Sequence, residues 1–358
     1  MHNEQNAWKR SCLSSYPVGF PILAQNSTRN HIIMQEFNRI KIFTWHIHGS
    51  YLYYLSQGNY DIYIPVNETK NEGYVGRGET FPFGNNVKEI PIAQVRNLDL
   101  DVILFQTDEN YLFDQYEVLS EAQRNLPKIY LEHDPPWGHP TNALHPVTDP
   151  SVLLVHVTHF NALMWHSPGV RTLVIEHGVI SSDHPYNGSL ERGIVVINNL
   201  PERGRLLGFD IFEKLSKTIP LDLVGMGAAK YGIGEVLHPQ LPAFISNYRF
   251  FFNPIRYTSL GLAVCEAMMQ GMPIVGLATT EMSVTIKNGY SGFVRTDIEA
   301  LKKDMELLLE NPVLAQQMGN NARKTAEERF GIERFTREWH KLFEAIMTKK
   351  LTRKTNYI

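Results

Sequence analysis

Residues 248–294 decide the fold: Tyr248-Arg249-Phe250-Phe251-Phe252-Asn253-Pro254-Ile255-Arg256-Tyr257-Thr258-Ser259-Leu260-Gly261-Leu262-Ala263-Val264-Cys265-Glu266-Ala267-Met268-Met269-Gln270-Gly271-Met272-Pro273-Ile274-Val275-Gly276, running on to Asn288-Gly289-Tyr290-Ser291-Gly292-Phe293-Val294. The stretch reads strand, loop, helix, strand. Phe250–Phe252 is the short apolar run of a buried parallel strand, and Asn253-Pro254 stops it. From Gly261 onward Leu262, Cys265, Glu266 and Met269 recur at spacings of three and four, and Gly271 stands where a left-handed C-terminal cap belongs. Pro273–Ala278 is a second buried strand.

This order sets a helix N-terminus, expected near Ser259, at the carboxyl edge of a parallel sheet. Free backbone N–H groups and the positive end of the helix dipole make such a place a phosphate site. Arg256 beside it can add a charge-assisted bond. Glu266, inside the helix, is acceptor-only when ionised and suits a ribose diol better than a phosphate. The competing reading is an ordinary α/β crossover whose glutamate is satisfied by backbone groups.

Outside this stretch the same alternation recurs. Apolar runs at Ile40–Trp45, Asp61–Val66, Asp101–Gln106, Lys128–Leu131, Val152–Val157 and Thr172–Ile175 form one series. Ile194–Ile197, Pro220–Gly225, Tyr248–Phe252, Pro273–Ala278 and Phe293–Val294 form another. Strands alternating with helical intervals imply parallel sheets wrapped by helices. The fold class is therefore α/β with two Rossmann-like units. Boundaries are expected at 1–38 for a loose N-terminal arm, 39–185 for a first domain, 190–332 for a second and 333–358 for a final helix with a basic tail; Ser181–Gly193 is the hinge. Residues 67–86, with Gly73, Gly76, Arg77 and Gly78, read as a mobile loop. Gly225-Met226-Gly227-Ala228-Ala229-Lys230 fails as a dinucleotide fingerprint because Lys230 takes the third glycine position, and residues 226–236 read as a glycine-rich loop. Glu333–Thr348 carries an apolar stripe of Phe335, Trp339, Leu342, Phe343 and Ile346 that needs a partner.

Histidines and acids gather where strands end: His46-Ile47-His48-Gly49-Ser50, Glu132-His133-Asp134, His156-Val157-Thr158-His159 and Glu176-His177. Carboxyl ends of strands are where ligands bind in open α/β sheets. A metal-dependent hydrolase using His46, His48, His133, Asp134 and His156 is one reading. Backbone-satisfied histidines are another.

Composition narrows the classes. A 43% hydrophobic and 20% charged chain of 358 residues can build a sizeable core, and a net charge of -3 gives no electrostatic case for nucleic acid. Two cysteines, Cys12 and Cys265, indicate no disulfide framework and fit a reducing compartment. The first residues lack the order of a secretion signal, and no apolar run reaches the ~20 residues of a membrane helix. A cytoplasmic protein is expected, so that the sequons at Asn26, Asn67 and Asn187 stay unmodified. The run Lys349-Lys350-Leu351-Thr352-Arg353-Lys354 could give weak peripheral contact with acidic lipid headgroups at the cytosolic membrane face, a solvated tail being the alternative.

Glu266-Ala-Met-Met-Gln-Gly-Met-Pro-Ile-Val-Gly276, followed by Asn288-Gly-Tyr-Ser-Gly-Phe-Val294, resembles the donor-domain signature of the group 1 (family 4-like) glycosyltransferases of GT-B architecture. The resemblance implies hexosyl transfer with retention from a nucleoside-diphosphate sugar to a sugar or lipid-linked acceptor, in polysaccharide or glycoconjugate biosynthesis. It implies an active site between the domains, no metal or other cofactor, and a C-terminal helix crossing back to the first domain. By resemblance, Arg256, Tyr257, Thr258, Ser259, Leu260, Gly261 and Glu266 bind the donor, and Arg203 and Arg205 hold its diphosphate. His133 joins these as a catalytic group; His46, Gly49, Ser50 and Asp134 face the acceptor. One departure stands out. The family usually carries two glutamates eight positions apart, and the first of these is Thr258 here. A nucleotide-sugar-binding relative with weakened catalysis is the reading this departure motivates.

Overall fold

The computed structural model describes residues 39–348. The expected arm at 1–38, Cys12, the Asn26 sequon and the basic run from Lys349 lie outside the described residues. Twelve strands are described, β1 Ile40–Thr44, β2 Tyr60–Val66, β3 Val87–Pro91, β4 Val102–Phe105, β5 Lys128–Glu132, β6 Val152–His156, β7 Arg171–Val174, β8 Leu190–Val196, β9 Leu221–Val224, β10 Tyr248–Asn253, β11 Ile274–Leu277 and β12 Gly292–Arg295. They form two sheets, in the orders β3-β2-β1-β4-β5-β6-β7 and β12-β11-β10-β8-β9. Every pairing within them is parallel.

Strand order reverses between β1 and β4 in the first sheet and between β8 and β10 in the second. A crevice opens outside the carboxyl ends at such switch points. The loops there are those after β1 (His46–Ser50), β4 (Gln106–Asp108), β8 (Asn198–Leu200) and β10 (Pro254–Gly261). Alternation along each strand sends neighbouring residues to different cores. Phe43, Ile103, Phe105 and Tyr130 enter one cluster while Ile42, Leu104, Ile129 and Leu131 enter another. That second cluster continues into the other sheet through Ile194, Phe251 and Ile274, and it takes up the helices Gly49–Leu55, Leu262–Gln270 and Ile332–Met347. The opposite face of the five-stranded sheet packs Val195, Phe250, Phe252 and Val275 separately.

The final helix crosses back onto the first sheet. Its Trp339 Nε1 donates to Tyr51 Oη at 3.1 Å, Thr336 O accepts from Tyr60 Oη at 2.9 Å, and Phe343 meets Tyr60 edge-on. The helix Pro312–Phe330 lies so close to Leu262–Gln270 that a Cβ on Gly319 would stand 1.9 Å from the Gly271 carbonyl oxygen.

Three readings of the sequence are corrected. β3 is an unforeseen edge strand, because Val87-Lys88-Glu89-Ile90-Pro91 buries only one residue fully. β8 starts at Leu190 rather than Ile194; Arg192 within it is carried by a bidentate pair with Asp222 on β9. The segment 67–86 is a loop as expected, and it carries the bridges His46↔Gly73 and Val66↔Val75 and packs Phe81 against Tyr53 and His238. The donor-side helix begins at Leu262, with Gly261 as its N-cap, three residues beyond Ser259.

Candidate active site

The crevice is built from residues of both sheets. Glu266 lies in the first turn and a half of its helix, and its Oε1 accepts from Tyr54 Oη at 2.7 Å. The same oxygen is 3.2 Å from His238 Nε2. Tyr54 belongs to the helix Gly49–Leu55 of the first sheet, and burial, with the charge of Glu266 added, holds its phenol well above the ordinary range. A cavity of about 180 Å3 opens beside this cluster, lined by Glu266, Ser50, Phe81, Asn198, Gly225 and Leu237 among others. The glycine-rich loop expected over 226–236 thus forms one of its walls.

Gly261 leaves the helix entrance bare. A Cβ there would meet nothing within 4 Å, and the N–H groups of a first turn have no intrahelical acceptor. Just before it, Ser259 and Leu260 are buried, and the Leu260 carbonyl accepts from His177 Nε2 at 2.7 Å. His177 is held down to about 4 by burial. Thr258 is half-buried, and its hydroxyl has no partner among the described residues. Tyr257 reaches the first sheet, donating from Oη to the Pro136 carbonyl at 3.0 Å and meeting Trp137 and Phe160 edge-on.

The arginines divide. Arg256 is not available beside the helix entrance as expected: it forks onto Asp210 (Nη1 to Oδ1 2.6 Å, Nη2 to Oδ2 2.8 Å) and donates to the Arg205 carbonyl. Arg205 itself pairs with Asp210 at 2.8 Å. Arg203, exposed on the helix Leu200–Leu207, points its charge toward the crevice closely enough to act on Asp134.

On the first sheet, His133 is 8% exposed. Its Nε2 is 3.1 Å from Gln106 Oε1. The Gln106 amide nitrogen donates to Thr44 Oγ1 at 3.0 Å and to the Trp45 carbonyl at 2.8 Å, which fixes the opposite oxygen as an acceptor. His133 therefore carries its proton on Nε2 and presents Nδ1 as a lone pair. Burial keeps the ring neutral, far below the ordinary histidine range, with the neighbouring His48 and His177 adding to the effect. His48 packs against it with the rings tilted, 3.9 Å between centroids, and is itself lowered to about 4 by burial. Asp134 is raised to about 6, first by burial and then by Glu132, against the pull of Arg203. His46 does not face the crevice freely: its Nδ1 donates to the Gly76 carbonyl at 2.5 Å. Gly49 and Ser50 open the helix Gly49–Leu55, where a Cβ on Gly49 would meet Phe81 at 2.4 Å.

The five side chains of the metal reading do not assemble. Among the described residues no group of three or more His, Cys, Asp or Glu stands close enough to share an ion. His156 is fully buried with both ring nitrogens unpartnered, and burial lowers it to about 3. Cys265 is buried in the core. No described helix is long and apolar enough to cross a membrane.

Sequence reasoning passed over Tyr54, Phe81, Gln106, Trp137 and His238. Each reaches the crevice through a tertiary contact, and only the aromatic run 51–54 and the Gly-rich context of His238 offered any local signal.

Residues 229–325 match the family model for glycosyl transferases group 1. Over 73 residues the chain is 40% identical to a trehalose synthase of Thermococcus litoralis, a match covering 20% of this chain and 18% of that protein. The matches to curated relatives span less than a third of those proteins' lengths. Among solved structures, a sucrose-phosphate synthase from Thermosynechococcus elongatus superposes with a TM-score of 0.67 at 14% identity, over 87% of this chain and 100% of that one. Anabaena HepE in complex with UDP superposes with a TM-score of 0.63 at 13% identity, over 86% and 100%. Two parallel sheets facing one crevice and a C-terminal helix returning to the first sheet converge with these likenesses: the chain has the GT-B fold, and its segment around Glu266 matches the model of the group 1 glycosyl transferases.

Proposed function

We propose that the protein transfers a sugar from a nucleoside-diphosphate sugar to a hydroxyl acceptor, with retention at the anomeric carbon and without a metal. The observation that carries this reading is Glu266, a carboxylate set at the edge of a cavity lined by both sheets, already accepting two hydrogen bonds of the kind a ribose diol would offer. In this reading the open helix entrance at Gly261 and the free guanidinium of Arg203 receive the diphosphate, the largest charge to be stabilised as it departs. The acceptor oxygen bonds to the anomeric carbon while the bond from that carbon to the diphosphate breaks. The diphosphate leaves with the electron pair and takes the acceptor's proton. His133, Asp134 and Ser50 stand on the acceptor's side. The UDP bound by HepE supports a nucleotide in the same crevice.

Thermal unfolding against UDP, GDP, ADP and dTDP, with and without EDTA, tests the reading. One diphosphate should raise the midpoint, by about 2.7 kcal/mol of stabilisation at a hundred times its dissociation constant. The rise should be insensitive to EDTA and absent in Glu266→Ala. A panel with no effect from any nucleotide would end the proposal.

A further inference from the structure

Beside the donor cavity lies a second one of about 330 Å3, on the first sheet's side of the crevice. His48, Asp108, His133, Asp134, Trp137 and Glu72 contribute to its lining. No lysine or arginine among the described residues lines it.

His48, Thr107 and Tyr130 in its lining can donate as well as accept, while His133 and the carboxylates that face it only accept. His133 is more than nine-tenths buried, its Nε2 proton is given to Gln106, and no described residue partners Nδ1; that lone pair can only accept. Glu132 also lines the cavity, but both its oxygens are engaged, Oε1 by the Asp134 N–H at 2.8 Å and Oε2 by His145 Nε2 at 3.1 Å. Asp134 keeps its carboxylate for a ligand, and Asp108 and Glu72 are exposed carboxylates at the mouth. Trp137, 49% exposed, adds an aromatic surface. Acceptor atoms around an indole match a molecule that offers many hydroxyl donors and a C–H face, and they repel an anion.

Building on the sugar-transfer reading, we infer that this cavity takes the acceptor as a neutral, unphosphorylated sugar, its C–H face on Trp137 and its hydroxyls donated to His133 Nδ1 and to the carboxylates of Asp108 and Asp134. A phosphate or carboxylate group on the acceptor would enter among like charges without a cation lining the cavity. Arg203, whose charge acts on Asp134, belongs to the second sheet's side and in the transfer reading holds the donor diphosphate. Burial and then the charge of Glu132 raise Asp134, and Arg203 offsets them only in part.

Ligand-observed saturation-transfer NMR on the full chain tests this without any donor, using glucose, mannose, galactose and N-acetylglucosamine, each beside its 6-phosphate. At least one neutral sugar should bind, and its 6-phosphate should bind about tenfold more weakly or not at all. Trp137→Ala should weaken the neutral sugar roughly tenfold and Trp137→Phe should recover most of that loss. Because Trp137 is half exposed, neither change threatens folding. Asp108→Lys should narrow the gap between the two members of a pair. Equal or tighter binding of the 6-phosphates overturns the inference, as does indifference of neutral-sugar binding to Trp137→Ala or the absence of binding by every neutral sugar. Failure of the transfer reading would show elsewhere, as the absence of nucleotide binding sensitive to Glu266, and would leave these sugar measurements standing.

Discussion

Replacing Arg329 with methionine tests whether one ion-pair knot holds the two sheets' loops in register. Arg329 Nη2 lies 2.5 Å from Glu176 Oε1, which follows β7, and 2.7 Å from Glu281 Oε1, which follows β11. Glu281 is 2% exposed, and its other oxygen accepts at 3.0 Å from the Phe160 N–H, in the helix His159–Met164 that follows β6. Methionine preserves the packing of the arginine stem. It leaves Glu281 as a buried charge with a single N–H donor, a situation that costs about 3–5 kcal/mol. Glu176, about a fifth exposed, rehydrates and adds at most ~1 kcal/mol. A loss of about 3–5 kcal/mol should lower the thermal midpoint by roughly 6–10 °C, since about 2 °C per kcal/mol applies to a chain of this size. The control is Arg323→Met, whose partner Glu327 is exposed, for which ~0.5 kcal/mol or less is expected. Adding Glu281→Met to Arg329→Met should restore most of the lost stability, because it removes the orphaned charge. Chemical and thermal denaturation of the four proteins decide. An Arg329→Met loss no larger than that of Arg323→Met would refute the argument.

Gly319→Ala should destabilise by about 2 kcal/mol although alanine is the better helix former by ~1 kcal/mol, because its methyl would collide with the Gly271 carbonyl; equal or greater stability in denaturation would count against the close helix contact. Stability should fall as pH drops from about 6.5 to about 4: His48 and His177 lowered to about 4 and His156 to about 3 bind fewer protons folded than unfolded across that window. Each contributes up to about 1.4 kcal/mol per pH unit, while Asp134, raised to about 6, acts with the opposite sign between about 4 and 6 and is outnumbered, so a stability flat in this range would contradict the burial described. Thr258→Glu, which restores the carboxylate the family carries there, should raise turnover about tenfold at unchanged nucleotide affinity; an unchanged rate would show the position to be unimportant in this chain.

Much of the architecture was readable because central parallel strands are buried on both faces. Val102–Phe105, Val152–His156 and Tyr248–Asn253 are wholly buried, so their apolar runs announce them. β3 escaped because an edge strand with Lys88 and Glu89 exposes half of itself. β8 started early for a different reason: Leu190 and Glu191 at its start are exposed, and only the partner Asp222, 30 positions away, makes Arg192 acceptable in a strand. In the site, Glu266 was legible because its neighbours in sequence fix its place on a helix. Its partners Tyr54 and His238 were not, being 212 and 28 positions away. Arg256 misled for the same cause. Its position next to the helix entrance was readable, whereas the claim of Asp210 on its guanidinium is a tertiary fact.

The geometry of the donor site is tied to the core by one short helix. In Gly49–Leu55, Tyr51, Leu52 and Leu55 are core residues, while Ser50 and Tyr54 face the cavities around Glu266. Tyr51 is held by Trp339 of the returning helix through a buried hydrogen bond and by Phe335 edge-on. Tyr54 comes three positions after Tyr51, less than one helical turn, so a shift of Tyr51 carries the Tyr54 hydroxyl with it. The returning helix consequently does more than cover an apolar face. By fixing Tyr51 it sets where Tyr54 meets Glu266, and with it the position of the carboxylate on which nucleotide binding is proposed to depend.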